Sequence, residues 1–369
     1  MGSKVYFSDL HVSMGDSILK KFERLIVRAG IDQIDFEDKF VAVKVHFGEV
    51  GNMAFLRQQY ARVLCDHIKQ RGGKPFLTDC NTLYVGYRNN ALNHLDAAYM
   101  NGYNPLATGV HTIIADGLRG TDEREIAVEG ATYCKTAKIG AAVAEADVII
   151  SLTHFKGHLA AGFGGCLKNI GMGCGSKQGK MAMHSAGTPY IDRELCIGCG
   201  MCAKHCNNDG VHVIDRKAVI DEAHCVGCGY CFAFCPKGAI NCKWDEAKPV
   251  MNRKIAEYTK AVVHGKPAFH INFVVDVSPE CDCDSCNDVP VIPDVGMFAS
   301  FDPVALDQAC VDAANRMPVM PGSAADRHES EHKHDVFKCV HPDTDWEAGL
   351  IHAEKLGLGV REYEIVNCK

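Results

Sequence analysis

The chain has 369 residues, 47% hydrophobic and 23% charged, a globular balance that excludes disorder as its class and gives length enough for two or three units with separate cores. A formal charge of −7, spread without a basic stripe, excludes nucleic acid as an expected partner. No run reaches the roughly 18 apolar residues that a membrane helix needs.

In chain order, Lys4, Val5, Tyr6 and Phe7 open a strand instead of a signal sequence, with no twin-arginine signal, so a cytoplasmic protein is expected. Apolar β-rich stretches then alternate with helical patterns over 40–47, 53–71, 75–79, 89–100, 111–115, 137–146 and 148–152. Val41 to Val45 and Val148 to Ile150 read as buried strands, and Gly72 and Gly73 stop a helix before the next strand. After a cysteine-rich stretch, 269–277 predicts a strand. A helix should begin at Asp302 and Pro303, with Asp302 as its cap, and run to Arg316. Such alternation predicts an α/β class: a host with mainly parallel sheets and crossover helices, residues 1–187 and 246–369, interrupted by a small α+β insert at 188–245.

The insert carries the most specific signal, two runs reading Cys196-x2-Cys199-x2-Cys202-x3-Cys206 and Cys225-x2-Cys228-x2-Cys231-x3-Cys235-Pro236. This is the ligand spacing of a bacterial ferredoxin with two [4Fe-4S] clusters, in which the fourth cysteine of each run ligates the other cluster. Cys196, Cys199, Cys202 and Cys235 are therefore expected to hold one cluster, and Cys225, Cys228, Cys231 and Cys206 the second. Zinc knuckles or a disulfide framework are the alternatives, but zinc sites seldom use eight thiols in this duplicated order. The 20 cysteines read as reduced thiols and metal ligands in a reducing, anaerobic compartment. Asn207 stands where Pro236 follows the other run, which adds a backbone N–H beside the second cluster and predicts that the two are inequivalent.

Two further segments carry reactive side chains. The stretch from Ser151 to Cys174 follows a strand end, where ligands gather in open α/β sheets. It holds His154, His158, Lys168, Asn169 and the glycines Gly162, Gly164 and Gly165, with His184 soon after; glycines allow close approach to a bound group. The second segment is Cys281, Cys283 and Cys286 after the strand near Val277. It offers three thiolates to a third metal centre that Cys166, Cys174 or His154 could complete, made more negative by Asp282 and Asp284. Lys44 and His46 end a predicted strand on the same side. The run His328, His332 and His334 is a weaker metal candidate or a solvated face, and His341 is expected to be structural. Neither a nucleotide-hydrolysis loop nor a dinucleotide fingerprint is present.

Several of these phrases, His154 to His158, Gly162 to Gly165, Lys168 to Cys174, Cys281 to Cys283 and Ser300 to Cys310, resemble the iron-sulfur centre proteins of the domain-of-unknown-function family numbered 362. That resemblance covers nearly the whole chain and implies the insert in its usual place. The stretch from His158 through Gly162 to Lys168 and His184 is more distantly similar to nickel-pincer lactate racemases. That likeness implies Lys168 as a cofactor tether or anion anchor, His158 as an acid or base, and His184 as a metal ligand.

The expected function is an iron-sulfur redox protein, with oxidoreductase as the enzyme class, that passes electrons through two [4Fe-4S] clusters to a substrate, an organic cofactor or a third metal centre at a Lys168/Cys281 cleft. Its expected partners are redox proteins and a small-molecule substrate. The alternative is a non-catalytic electron carrier or metallocofactor maturation protein that docks a partner enzyme.

Overall fold

Strand Val148–His154 alternates its contacts between two faces: Ile150 and Leu152 pack with Phe22, Leu64 and Ile68, while Ile149 packs with Met251, Ile255 and Tyr258. The period-two alternation of a strand, buried on both faces, forces helices onto both sides. The computed structural model describes residues 2–84, 86–185, 188–327 and 334–368. It is a mixed α/β fold around an eight-stranded sheet, in the order Tyr363–Asn367, Ser3–Ser8, Gly296–Ser300, Ala268–Val274, Val148–His154, Phe40–Val45, Lys74–Asp79, Thr112–Ile114. The last five strands run parallel to one another.

Gly296–Ser300 departs from the expected parallel pattern and pairs antiparallel with both neighbours. The chain returns to it from Val274 with no helix between, and only antiparallel neighbours can be joined without a long crossover. Residues 137–146, expected to be helical, instead split into a strand, Thr136–Gly140, and a short helix, Ala141–Glu145. Ala137 and Ile139 are buried while Thr136 is exposed and Lys138 half-buried, the period of two that pairs this strand with Glu123–Ala127. Helix Pro303–Asn315 starts as expected, with the Asp302 carboxylate accepting from the amides of Val304 and Ala305.

The cysteine-rich segment folds around its own small core of Val211, Ala218, Ala239 and Ile240 with Cys196, Cys202 and Cys231. Its two ends pair as strands, Tyr190–Ile191 against Ile240–Asn241. It therefore leaves and rejoins the host at one place, between two strands that are neighbours in the central sheet. It docks on helix Lys177–His184, where Met181 lies against Gly229, and Arg119 donates to the Ala233 carbonyl at 3.2 Å. Among the described residues no helix is long and apolar enough to cross a membrane.

A buried polar knot at the end of strand Lys74–Asp79 gives a pH prediction. The Asp116 carboxylate accepts from the Asn81 backbone and side-chain amides at 2.9 and 2.8 Å, yet its other oxygen has no partner. Burial pushes its pKa up to about 6 against the partial relief given by Lys180 and Lys177. A raised folded pKa means that the folded chain holds the proton longer, so stability falls as pH rises from about 4 through 6. Asp116→Asn should remove that slope and exceed the parent at pH 8 by up to about 3 kcal/mol, read from denaturant midpoints at both ends of the range. An unchanged slope would refute this assignment.

Candidate functional site

The eight thiols of the insert separate into two sets of four. Cys196, Cys199, Cys202 and Cys235 line one cavity, together with insert residues only, such as Ile197 and Pro236. Cys206, Cys225, Cys228 and Cys231 line a second cavity, which also meets Lys138 and Gln178 of the host. The fourth thiol of each set comes from the other run. Backbone amides point at three of the sulfurs: Ala218 N–H donates to Cys196 at 3.3 Å, and Gly210 and Ala239 donate to Cys206 and Cys235 at 3.2 Å. Such donors suit thiolates that hold a metal cluster. Gly210 donates to Cys206 from four residues on, as Ala239 does to Cys235, so the extra N–H of Asn207 is not the one that reaches the sulfur.

The second site is built at the carboxyl ends of the parallel strands, where open α/β sheets gather ligands. Strand Val148–His154 runs into the short hairpin Lys156–His158 and Gly162–Gly164, and helix Cys166–Cys174 follows. Asp307 caps that helix: its buried carboxylate accepts from the amides of Cys166 and Leu167 at 2.8 and 3.0 Å and from Asn272 at 2.7 Å. The cap sets the first turn and with it Lys168, whose Nζ lies 3.7 Å from Cys281 Sγ. A Cβ on Gly165 would sit 2.3 Å from the Asp307 carboxylate, which explains glycine there.

The loop carrying Cys281 is held from every side. Buried Asp282 takes His154 Nδ1 at 2.8 Å and Lys156 Nζ at 3.1 Å, and its carbonyl accepts from the Glu49 amide. Tyr84 donates to the Cys283 carbonyl at 3.0 Å, and the His341 ring bonds the Pro279 carbonyl. Arg88, wholly buried, binds Glu49 at 3.1 Å and His46 at 3.0 Å and also reaches the Tyr84 hydroxyl. Lys44 completes the network with Asp79 at 3.1 Å and Asn169 at 2.7 Å. The assembly brings His158, Cys281 and Cys283 together, with their ligand atoms all within 4.8 Å of one another.

These surroundings favour a thiolate. A hydrogen bond from Cys283 holds the Cys281 thiol well below its ordinary value against the opposing effect of burial, and Lys168 and Lys156 assist; the shared proton raises Cys283 correspondingly. Burial works against the Lys156 charge, but Asp282 and the two cysteines outweigh it, so its pKa is raised. His158 and His46 are pulled well below the ordinary histidine value by burial first and by neighbouring cations second. His184 is lowered in the same way, with Lys168 among its causes, and its ring stands edge-on to Trp244.

Several expected roles change with these contacts. Both His154 nitrogens face acceptors, the Asp282 carboxylate and the Val275 carbonyl, so this ring ties strand Val148–His154 to the loop. Lys44 and Asn169 bond each other, Asp79 and Thr153. A Cβ on Gly162 would meet Trp346 and one on Gly165 would meet the Asp307 carboxylate. Cys286 is exposed and stands outside the close group, and Cys166 and Cys174 are buried elsewhere, against Pro303 and Cys80. The Asp282 charge is paired with that of Lys156, 3.1 Å away. His328 and His332 lie outside the described residues.

Sequence reasoning missed Asp79, Arg88, Glu49, Tyr84, Lys156 and Asp307. Asp79 at the end of a predicted strand, Lys156 between the two loop histidines, Glu49 just after His46 and Asp307 within the Ser300 to Cys310 phrase carried a local signal; Arg88 and Tyr84 carried none.

Residues 41–312 match the model of a domain of unknown function, DUF362. The chain belongs to this family. Among solved structures, the DUF362 chain is similar to the lactate racemase apoprotein from Thermoanaerobacterium thermosaccharolyticum, with 13% identity and a TM-score of 0.45 over 99% of this chain and 82% of the other. It is also similar to a Thermotoga maritima protein from a structural genomics programme, with 12% identity and a TM-score of 0.38 over 71% of this chain and 51% of that one. No curated protein matches the DUF362 sequence.

Proposed function

We propose that this protein is an iron-sulfur redox protein that takes electrons from a partner protein and passes them through two [4Fe-4S] clusters to the site at His158, Lys168, Cys281 and Cys283. The observation that supports this reading is the crossed grouping of eight thiols around two cavities, the arrangement that two cubane clusters require. Bound there, the clusters would supply one-electron transfer. The cysteines hold the iron and the amides of Ala218, Gly210 and Ala239 hydrogen-bond the sulfurs. The loop around Cys206 and Cys225 abuts the host, and helix Lys177–His184 leads back to the Lys168 helix.

Anaerobically purified protein should contain about eight irons and as many labile sulfides per chain, reducible by dithionite with an EPR signal. Zinc in their place, or no metal after reconstitution, would refute the reading.

The direction of flow has its own support. The Cys196 cavity is rimmed by exposed Leu195, Ile197 and Met201, and Lys237 lines it, while Arg193 and Lys217 add positive charge beside Cys196. This rim suits an acidic one-electron carrier protein docking there. Lys237→Glu should slow reduction by such a carrier about tenfold at low salt and leave dithionite reduction unchanged. An equal effect from a charge reversal at Lys243, which bonds Thr188 at the cavity of Cys225 and Cys228, would refute entry at this end.

A further inference from the structure

The three close groups at the second site invite a metal, but their hydrogen bonds oppose one. His158 Nδ1 accepts from the backbone amides of Ala160 and Ala161 at 3.1 and 3.0 Å. A neutral ring that accepts at Nδ1 carries its hydrogen at Nε2. Metal-bound histidines show the reverse, with the second nitrogen donating to a carboxylate or carbonyl. Here the free nitrogen of His158 is a donor, and Lys168 is a second donor 3.7 Å from Cys281. The charges agree. Among the described residues, Lys168 and Lys156 are the cations that act on the Cys281 sulfur, and they favour a thiolate there over a further cation.

We propose that Cys281 and Cys283 form a redox-active dithiol that reduces a disulfide substrate. The inference rests on the electron-supply reading above and names what receives the electrons. Cys283 is half-buried, Cys281 buried behind it, and the pair is pinned by Asp282, Tyr84 and Glu49. Cys283 passes the shared proton to Cys281 as its sulfur attacks one sulfur of R–S–S–R, forming a mixed disulfide and expelling one RS⁻, which takes that proton and leaves Cys281 a thiolate. The Cys281 thiolate then attacks the Cys283 sulfur, closing a Cys281–Cys283 disulfide and expelling the second RS⁻. Two electrons from a low-potential one-electron donor break that bond and regenerate the thiolates. Two protons from solvent, relayed by the Lys168 ammonium while the Nε2–H of neutral His158 hydrogen-bonds the sulfur, complete the second RSH and restore the proton that the two cysteines share. The balance is R–S–S–R plus two electrons and two protons giving two thiols.

The test begins with mass, not activity. Whole protein is oxidised with diamide, alkylated, digested and weighed. The peptide spanning Cys281 and Cys283 should lose two hydrogens and escape alkylation, and dithiothreitol should reverse both changes. Alkylation of both thiols after oxidation would overturn the proposal. So would a stoichiometric metal ion that is kept by the parent and lost from Cys281→Ser. With reduced viologen as donor and 4,4′-dithiodipyridine as substrate, Cys281→Ser and Cys283→Ala should each lower turnover about 100-fold, while Cys368→Ser keeps the parent rate. Because Cys283 is half-buried, its alanine variant leaves the core intact and separates lost chemistry from misfolding. The mass change is read with or without bound iron, so it supports the dithiol even where an iron count overturns the cluster reading.

Discussion

Cys235→Ser is expected to break the site of Cys196, Cys199 and Cys202 and to spare that of Cys225, Cys228 and Cys231, its own neighbours in sequence. Cys235 shares a cavity with the first three thiols, and Cys206 with the second three. A cubane needs four ligands and its three remaining thiolates leave one iron exposed, so iron should fall from about eight per chain towards about four. Cys206→Ser should do the converse, leaving the other half of the EPR signal. The Cys235 variant should therefore keep the cluster nearer the host and lose the outer one, whose rim is proposed to meet the carrier. Its reduction by dithionite should persist while reduction by a carrier protein fails. Loss of the Cys225 site alone from Cys235→Ser would refute the crossed assignment.

Asp282→Ala is expected to destabilise the host by about 3–5 kcal/mol, because removing one member of a buried charge cluster leaves the others uncompensated. His154 and Lys156 both turn to this carboxylate at about 3 Å, and neither has water to replace it. The loss should appear as a lower denaturant midpoint and as faster alkylation of Cys281, since Asp282 fixes the loop between the two cysteines. The pH dependence has a definite sign. Burial raises the Asp282 pKa, but His154 and Lys156 outweigh burial and hold it below the ordinary carboxylate value. Its stabilisation is therefore complete above about pH 4 and is lost as pH falls through the folded value beneath it. The variant should lack that acid-side slope. An Asp282→Ala protein as stable as the parent at pH 7 would show that the charges there are solvated.

Particular residues mark how far the sequence could be read. The grouping of three thiols in each cysteine run was legible because their spacing is local: side chains separated by two residues reach one cavity. Asp302 was legible for the same reason, since a cap acts on amides two and three residues away. The strands around Val43 and Ile150 announced themselves by unbroken apolar runs. Gly296–Ser300 did not, because an antiparallel strand flanked on both sides has the same apolar character as a parallel one. The second site was half visible. Its histidines, Lys168 and Cys281 were identified, but their roles were not: a histidine's role depends on what its second nitrogen meets, and those partners are distant in the chain.

The sequence by itself determined the strand and helix alternation of the α/β host and the spacing of the thiols within each cysteine run, which depend on interactions within a few residues. Only the tertiary structure decided that His154 holds while His158 donates, that Cys286 stands apart from Cys281 and Cys283, and that Arg88, Asp79 and Asp307 support the site. Burial removes water from these groups, so each must find its partner across strands that meet only when the sheet is assembled.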